Sequence, residues 1–311
     1  MNIRAPLPDT PKPRYLMCPP RHFAVTYSIN PWMDPQAWSR SGAALHATAV
    51  RQWEGLYRAL IRHGTAIEQI EPAAGLPDLV FTANAAVVLD GKALLARFRH
   101  PERQPEQPVY AAGLGALIAR GLIDELIETP PDTALEGAGD CIFDPRRRLF
   151  WMGCGFRSDR AAGAVVERTF GVPCVPLELA NPSFYHLDTA FCALPCGSVV
   201  YHPGAFTAKA RAAIEAEVGR AERIALDAAD AARFAANAVG FGRTLVLSSA
   251  SARLRRALEE RGYTVVQTPL DAFLKSGGSA CCLTLRLDHR SKAVALSRQP
   301  AAIARGASLD G

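Results

Sequence analysis

The sequence predicts an α/β fold with partly antiparallel strands. Three observations carry that prediction: short apolar pairs joined by tight-turn signals recur, helical stretches separate them, and no proline- or serine-rich linker divides the chain between residues 15 and 290. Composition agrees. A chain of 311 residues with 49% hydrophobic and 21% charged content buries a sizeable core, which excludes a disordered protein. The 35 basic and 30 acidic residues are well mixed, so the net charge of +5 gives no basic stripe for nucleic acid. No apolar run reaches the roughly 18 residues of a membrane helix, and the N-terminus lacks the apolar stretch of a secretion signal. A cytoplasmic protein that binds neither membrane nor nucleic acid is expected.

Taken in chain order, Ala44 to His63 places Val50, Trp53, Tyr57, Leu60 and Ile61 on one helical face and stops at Gly64. A strand with Ile67 and Ile70 follows. Leu79 to Leu89 and Ala93 to Phe98 read as two strands joined by Asp90-Gly91, a dipeptide that tolerates the positive φ angles of a two-residue hairpin. Cys141-Ile142-Phe143, the turn DPRRR and Leu149 to Met152 give a second hairpin. Thr189 to Tyr201, turning at Pro195-Cys196-Gly197, gives a third. Helices are expected at about 158–170, 206–219, 228–238 and 251–261. One internal echo hints at a repeat: Phe81-Thr-Ala-Asn-Ala85 returns as Phe234-Ala-Ala-Asn-Ala238. Residues 14–290 read as one domain, with ragged ends at 1–13 and 291–311.

The eight cysteines sit in apolar, strand-like runs and read as reduced thiols. Cys192-Ala-Leu-Pro-Cys196 has no second ligand pair at zinc spacing, so no metal is expected. Three stretches carry candidate chemistry. Lys275-Ser-Gly-Gly-Ser-Ala-Cys281-Cys282 delivers two thiols from a glycine loop to the start of a strand, where a thiol is better exposed than in a core; the same residues also suit a hairpin corner with two buried cysteines. His186 stands at the mouth of an apolar strand with Asp188 two residues on, placed to move a proton or simply to cap the strand. Glu136-Gly-Ala-Gly-Asp140 can turn two carboxylates toward a planar cation, or form an ordinary surface turn. No phosphate loop, dinucleotide fingerprint or serine-hydrolase elbow occurs, so no nucleotide cofactor is expected.

Together PDLVFTANAAVV (77–88), EGAGD (136–140), HLDTAFC (186–192) and SGGSACCLTLR (276–286), with INPWM (29–33), residues 98–104 and Gly155-Phe-Arg157, resemble the guanidine-modifying superfamily. That group holds arginine deiminases, dimethylarginine dimethylaminohydrolases and amidinotransferases. The match runs in order over nearly the whole chain. It implies a five-bladed α/β propeller, or pentein, of ββαβ-type modules around a central channel. Residue by residue, it implies that Cys282, directly before Leu283-Thr284, is the nucleophile and Cys281 a spectator. His186 matches the general acid/base. Glu136 and Asp140 match the carboxylates around the guanidinium, Arg103 and Arg157 the partners of the substrate α-carboxylate, and Asp78 a residue near its α-amino group. Asn84 stands where deiminases and dimethylargininases place an acid.

With Asn30 in INPWM and with EGAGD, Asn84 makes the pattern similar to the arginine dihydrolases, which yield ornithine, carbon dioxide and two ammonia. The additional C-terminal domain of bifunctional members is not expected, since the sequence stops at 311. The resemblance thus implies a hydrolase of linear amidines acting on arginine or a methylated arginine, without cofactor. Dimethylargininase or deiminase activity giving citrulline, and amidinotransferase activity, remain alternatives. A noncatalytic arginine sensor would need neither Cys282 nor His186. Oligomeric state is left open, a homo-oligomer included.

Overall fold

The computed structural model describes residues 12–291, so the expected ragged ends lie outside the described residues except for 12, 13 and 291. The described residues open with β1 (Arg14–Met17), the long helix α1 (Pro35–Arg62) and β2 (Ala66–Gln69), which lies parallel to β1. Four further units repeat one plan, an antiparallel hairpin followed by a helix and a strand parallel to the second hairpin strand. They comprise β3 (Ala86–Leu89), β4 (Lys92–Leu95), α2 (Glu106–Ala119) and β5 (Glu125–Glu128); β6 (Cys141–Asp144), β7 (Leu149–Cys154), α3 (Ala162–Phe170) and β8 (Cys174–Glu178); β9 (Phe191–Ala193), β10 (Val199–Tyr201), α4 (Ala208–Glu217) and β11 (Arg223–Ala225); and, after the short α5 (Ala228–Ala232), β12 (Val239–Phe241), β13 (Thr244–Leu247), α6 (Ala252–Glu259) and β14 (Thr264–Gln267). After α7 (Asp271–Leu274), β15 (Leu285–Arg286) pairs antiparallel with β1, setting Tyr15 opposite Arg286. The C-terminal strand therefore supplies the first strand of the module that β1 began.

Five three-stranded sheets result among the described residues. Residues of β3, β6, β9, β12 and β15, the first strand of each, line one cavity of about 350 Å³. This is the expected five-bladed α/β propeller around a central channel.

Local chemistry explains the modules. Asp90 and Gly91 both have positive φ, 53° and 82°, the geometry a two-residue hairpin turn requires and the reason Gly is present. In the second hairpin the Asp144 carboxylate accepts from the amides of Arg146 and Arg147, each at 3.0 Å, and organises the turn. Helix α1 starts at Asp34, whose side chain accepts from the Ala37 amide, and Pro35 occupies the first turn. Its buried face runs through Trp38, Ala49, Trp53, Leu56 and Leu60. The face is thus rotated from the predicted one, leaving Ile61 43% exposed.

Two predicted elements are shorter than expected. The apolar run 79–89 is a strand only from Ala86; before it, Pro77–Val80 and Thr82–Asn84 form 3-10 turns. The predicted helix 228–238 ends at Ala232, and Phe234 takes a φ of 51°. Both segments lead into a first strand at the channel, where bonds to neighbouring turns replace regular secondary structure.

Candidate active site

The segments ahead of the five first strands meet at one end of the channel, and hydrogen bonds link them in a closed belt. The Asn84 side-chain amide donates to the Glu136 carbonyl at 3.1 Å, and the Leu187 amide to the Asp140 carboxylate at 3.0 Å. Asn237 donates to the Asp188 carbonyl at 3.0 Å and accepts from the Cys282 amide at 3.2 Å. The Ala83 amide closes the belt on the Cys282 carbonyl at 3.1 Å. The FTANA, EGAGD, HLD and GGSACC segments, with the echo FAANA, therefore converge on this end. Two glycines permit the approach. Gly137 has a φ of 64°, and a Cβ there would lie 2.7 Å from the Ala83 carbonyl; a Cβ on Gly277, at φ 81°, would lie 2.7 Å from the Tyr185 hydroxyl.

Cys282 is buried, with its thiol donating to Asp188 Oδ2 at 3.1 Å and accepting from Asn237 Nδ2 at 3.0 Å. Burial, with Asp188 and Cys281 acting in the same direction, holds the thiol well above its ordinary pKa. Cys281, its neighbour, instead lines the channel cavity with Cys192. Asp188 Oδ1 is buried without a hydrogen-bond partner among the described residues. Burial pushes this carboxyl up to about 7, while the thiol and Asn237 pull it down. An unpartnered acceptor there suits a cationic donor that brings its own N–H groups.

His186 Nε2 lies 2.7 Å from Glu136 Oε2, and Arg157 Nη1 donates to the same oxygen at 3.0 Å. Burial alone would raise the Glu136 carboxyl, but Arg157 and His186 outweigh it and hold it well below the usual range. The two acids of EGAGD thus diverge. Asp140 accepts from Ser158 Oγ at 2.7 Å and from the Leu187 amide, and burial raises it to about 6. It anchors the segment that carries His186, because positive φ at Gly137 and the intervening turn direct it away from Glu136.

The arginines expected to meet a substrate carboxylate already hold internal partners. Arg103 grips Glu106 through Nε at 2.9 Å and Nη2 at 2.7 Å, and donates to Asn84 Oδ1 at 2.8 Å. Arg157 also donates to the Ile29 carbonyl at 3.1 Å and lies over the Tyr185 ring. Asp78 accepts from Tyr27 at 2.9 Å and Ser276 at 3.0 Å. Asn30 donates to the Ser276 carbonyl at 3.1 Å, tying INPWM to the glycine loop. Two contacts escaped the sequence reading: Asp188 meets the thiol, and Asn237 bridges the two. The echo of Asn84 in Asn237 was the available signal, since both stand two residues before a first strand. No cluster of three or more metal-ligating side chains occurs among the described residues.

A family profile described as N,N dimethylarginine dimethylhydrolase, eukaryotic, matches residues 20–288. The bifunctional arginine dihydrolase/ornithine cyclodeaminase AgrE of Nostoc sp. is 41% identical over 278 residues, 89% of this chain and 38% of AgrE. The chain therefore spans under two fifths of that relative. The N(G),N(G)-dimethylarginine dimethylaminohydrolase of Mycobacterium tuberculosis is 38% identical over 287 residues, covering 92% of this chain and 90% of that protein. A crystal structure of the N-terminal domain of ArgZ, a cyanobacterial arginine dihydrolase, in a cysteine-to-serine mutant bound to substrate, matches with a TM-score of 0.83 at 38% identity, covering 90% of this chain and all of that one.

Proposed function

The chain belongs to the guanidine-modifying family of dimethylarginine dimethylaminohydrolases and arginine dihydrolases, and from that membership we propose that it hydrolyses the guanidino group of arginine through a covalent intermediate on Cys282. One observation carries the reading: the Cys282 thiol lies 3.1 Å from Asp188, whose second oxygen is buried and has no partner among the described residues, on the turn that also presents His186. A guanidinium bound there satisfies Asp188 Oδ1 with its own N–H groups, draws the carboxylate into its charged form and favours the thiolate beside it. Sulfur gives up its proton to His186 and attacks the central carbon, and the C–N bond to a terminal amine breaks as ammonia leaves with that proton. Water, deprotonated by His186, then displaces sulfur to give a ureido group. Glu136 orients the imidazole through Nε2 and compensates its positive charge, so in this mechanism it serves His186, and Asp188 takes the guanidinium contact that the sequence reading gave to Glu136 and Asp140.

Asn84 supports a second cycle. Sulfur attacks the ureido carbon, a second ammonia leaves, and water releases a carbamate that decomposes to ornithine and carbon dioxide. Arginine and two waters thus become ornithine, carbon dioxide and two ammonia. Residues 14–290 act as one catalytic unit in this proposal. A cytoplasmic setting suits the eight free thiols, and no helix of the described residues is long and apolar enough to cross a membrane. The relative from Mycobacterium tuberculosis favours one second reading, dimethylargininase, which would release dimethylamine from methylated arginine.

Recognition of the α-carboxylate by Arg103 and Arg157 is tested by comparing arginine with agmatine, which lacks that group. Neither arginine is left without a counter-charge when the carboxylate is missing, because Glu106 and Glu136 remain in place. The expected loss is therefore that of a charge-assisted hydrogen bond, about 1.5–3 kcal/mol, or roughly 10- to 150-fold in kcat/KM. Equal rates on the two substrates would reassign both arginines to structure.

A further inference from the structure

We propose that Asn237 is a positioning residue for the nucleophile, its side-chain amide fixing Cys282 at both backbone and sulfur so that a thiolate can form beside Asp188. Asn237 is fully buried and every polar atom of its amide is engaged. Oδ1 accepts from the Cys282 amide at 3.2 Å, and the two Nδ2 protons go to the Asp188 carbonyl at 3.0 Å and the Cys282 sulfur at 3.0 Å. A flipped amide would set oxygen against both sulfur and carbonyl, so the orientation is determined.

The surroundings explain why such a donor is needed. Apart from His186, whose Nε2 is held by Glu136 at 2.7 Å, the titratable groups acting on the sulfur are Asp188, Cys281 and Tyr185, none of them cationic. Each opposes negative charge on sulfur or is neutral. The donors acting the other way are the Asn237 amide and the backbone at Ser279. A hydrogen bond donated to a thiolate is stronger than one donated to a thiol, so it shifts the equilibrium toward the reactive form. The internal echo sharpens the point. Asn84 makes the same bridge to a neighbouring turn, onto the Glu136 carbonyl, but its oxygen takes Arg103. Closing the belt therefore requires only a bridging amide, and the bond to sulfur is particular to Asn237.

The inference rests on Cys282 being the nucleophile, and its test reads the sulfur without turnover. The rate of iodoacetamide alkylation at the Cys282 peptide, followed by mass spectrometry against pH, gives the midpoint of thiolate formation in the free enzyme. Asn237→Ala is expected to raise that midpoint by at least about one pH unit, slowing alkylation about tenfold at any pH below it, and to lower kcat for arginine at least tenfold while KM changes less than about threefold. Asn237→Asp keeps the size and the acceptor for the Cys282 amide but puts an acid beside sulfur, and a larger upward shift is expected. It also provides the reading should the alanine variant fail to fold. A midpoint unmoved within about 0.3 unit in either folded variant would reduce Asn237 to a structural bridge. Cys282→Ser separates the two claims: an active enzyme overturns both, whereas an inactive one with an unmoved midpoint overturns the role of Asn237 alone.

Discussion

Replacing Cys282 by serine is expected to lower turnover of arginine roughly a thousandfold or more, while Cys281→Ser leaves most of it. Serine retains the size of the side chain but not the thiolate, and a hydroxyl beside the Asp188 carboxylate has far less tendency to ionise. Cys281 lines the channel cavity with Cys192, away from the bonds that Cys282 makes to Asp188 and Asn237. Steady-state kinetics on the two folded variants checks the pair. Equal losses would remove the assignment of the nucleophile to Cys282.

His186→Asn is the second large effect. Asparagine can keep a polar contact to Glu136 but cannot take up and release a proton near neutral pH, so both proton transfers lose their carrier. Turnover should fall roughly 100- to 10,000-fold, with KM for arginine little changed, because Asp188 remains to hold the guanidinium. Isothermal titration with arginine, run beside the kinetics, separates the two quantities. Near-normal rates in this variant would end the general acid/base role.

The parts of the molecule read most directly from sequence are those with strong local chemistry. Asp90-Gly91 can hardly be anything but a tight turn, and α1 announces itself by its apolar face and by Gly64. The outer strands β5, β8, β11 and β14 escape such reading. Segments such as Glu125–Glu128 and Thr264–Gln267 are four residues long, half exposed and polar at both ends, which protects an open edge but erases the apolar alternation of a strand. Closure of the ring by β15 on β1 is a long-range pairing that no local pattern specifies. At the site, the ordered motifs brought Cys282, His186, Glu136 and Asn84 to one place. The partners could not be read the same way. Asp140 and Asp188 are both acids beside small or apolar residues, and only the three-dimensional turns decide that one anchors a backbone amide while the other faces the thiol.

The dihydrolase reading depends most on Asn84, and its products test it most directly. The Asn84 amide donates to the Glu136 carbonyl while its oxygen takes Arg103, leaving one N–H and one lone pair to meet a ureido group. An acid at this position would turn oxygen toward the Glu136 carbonyl and repel a ureido oxygen, so Asn84→Asp should release citrulline. Quantifying products from guanidino-labelled arginine by mass spectrometry, with ammonia measured in parallel, therefore decides the matter. The wild-type enzyme is expected to form ornithine and ammonia in a ratio near one to two, and Asn84→Asp to shift the products toward citrulline. Citrulline as the sole end product of the wild-type enzyme would contradict the account.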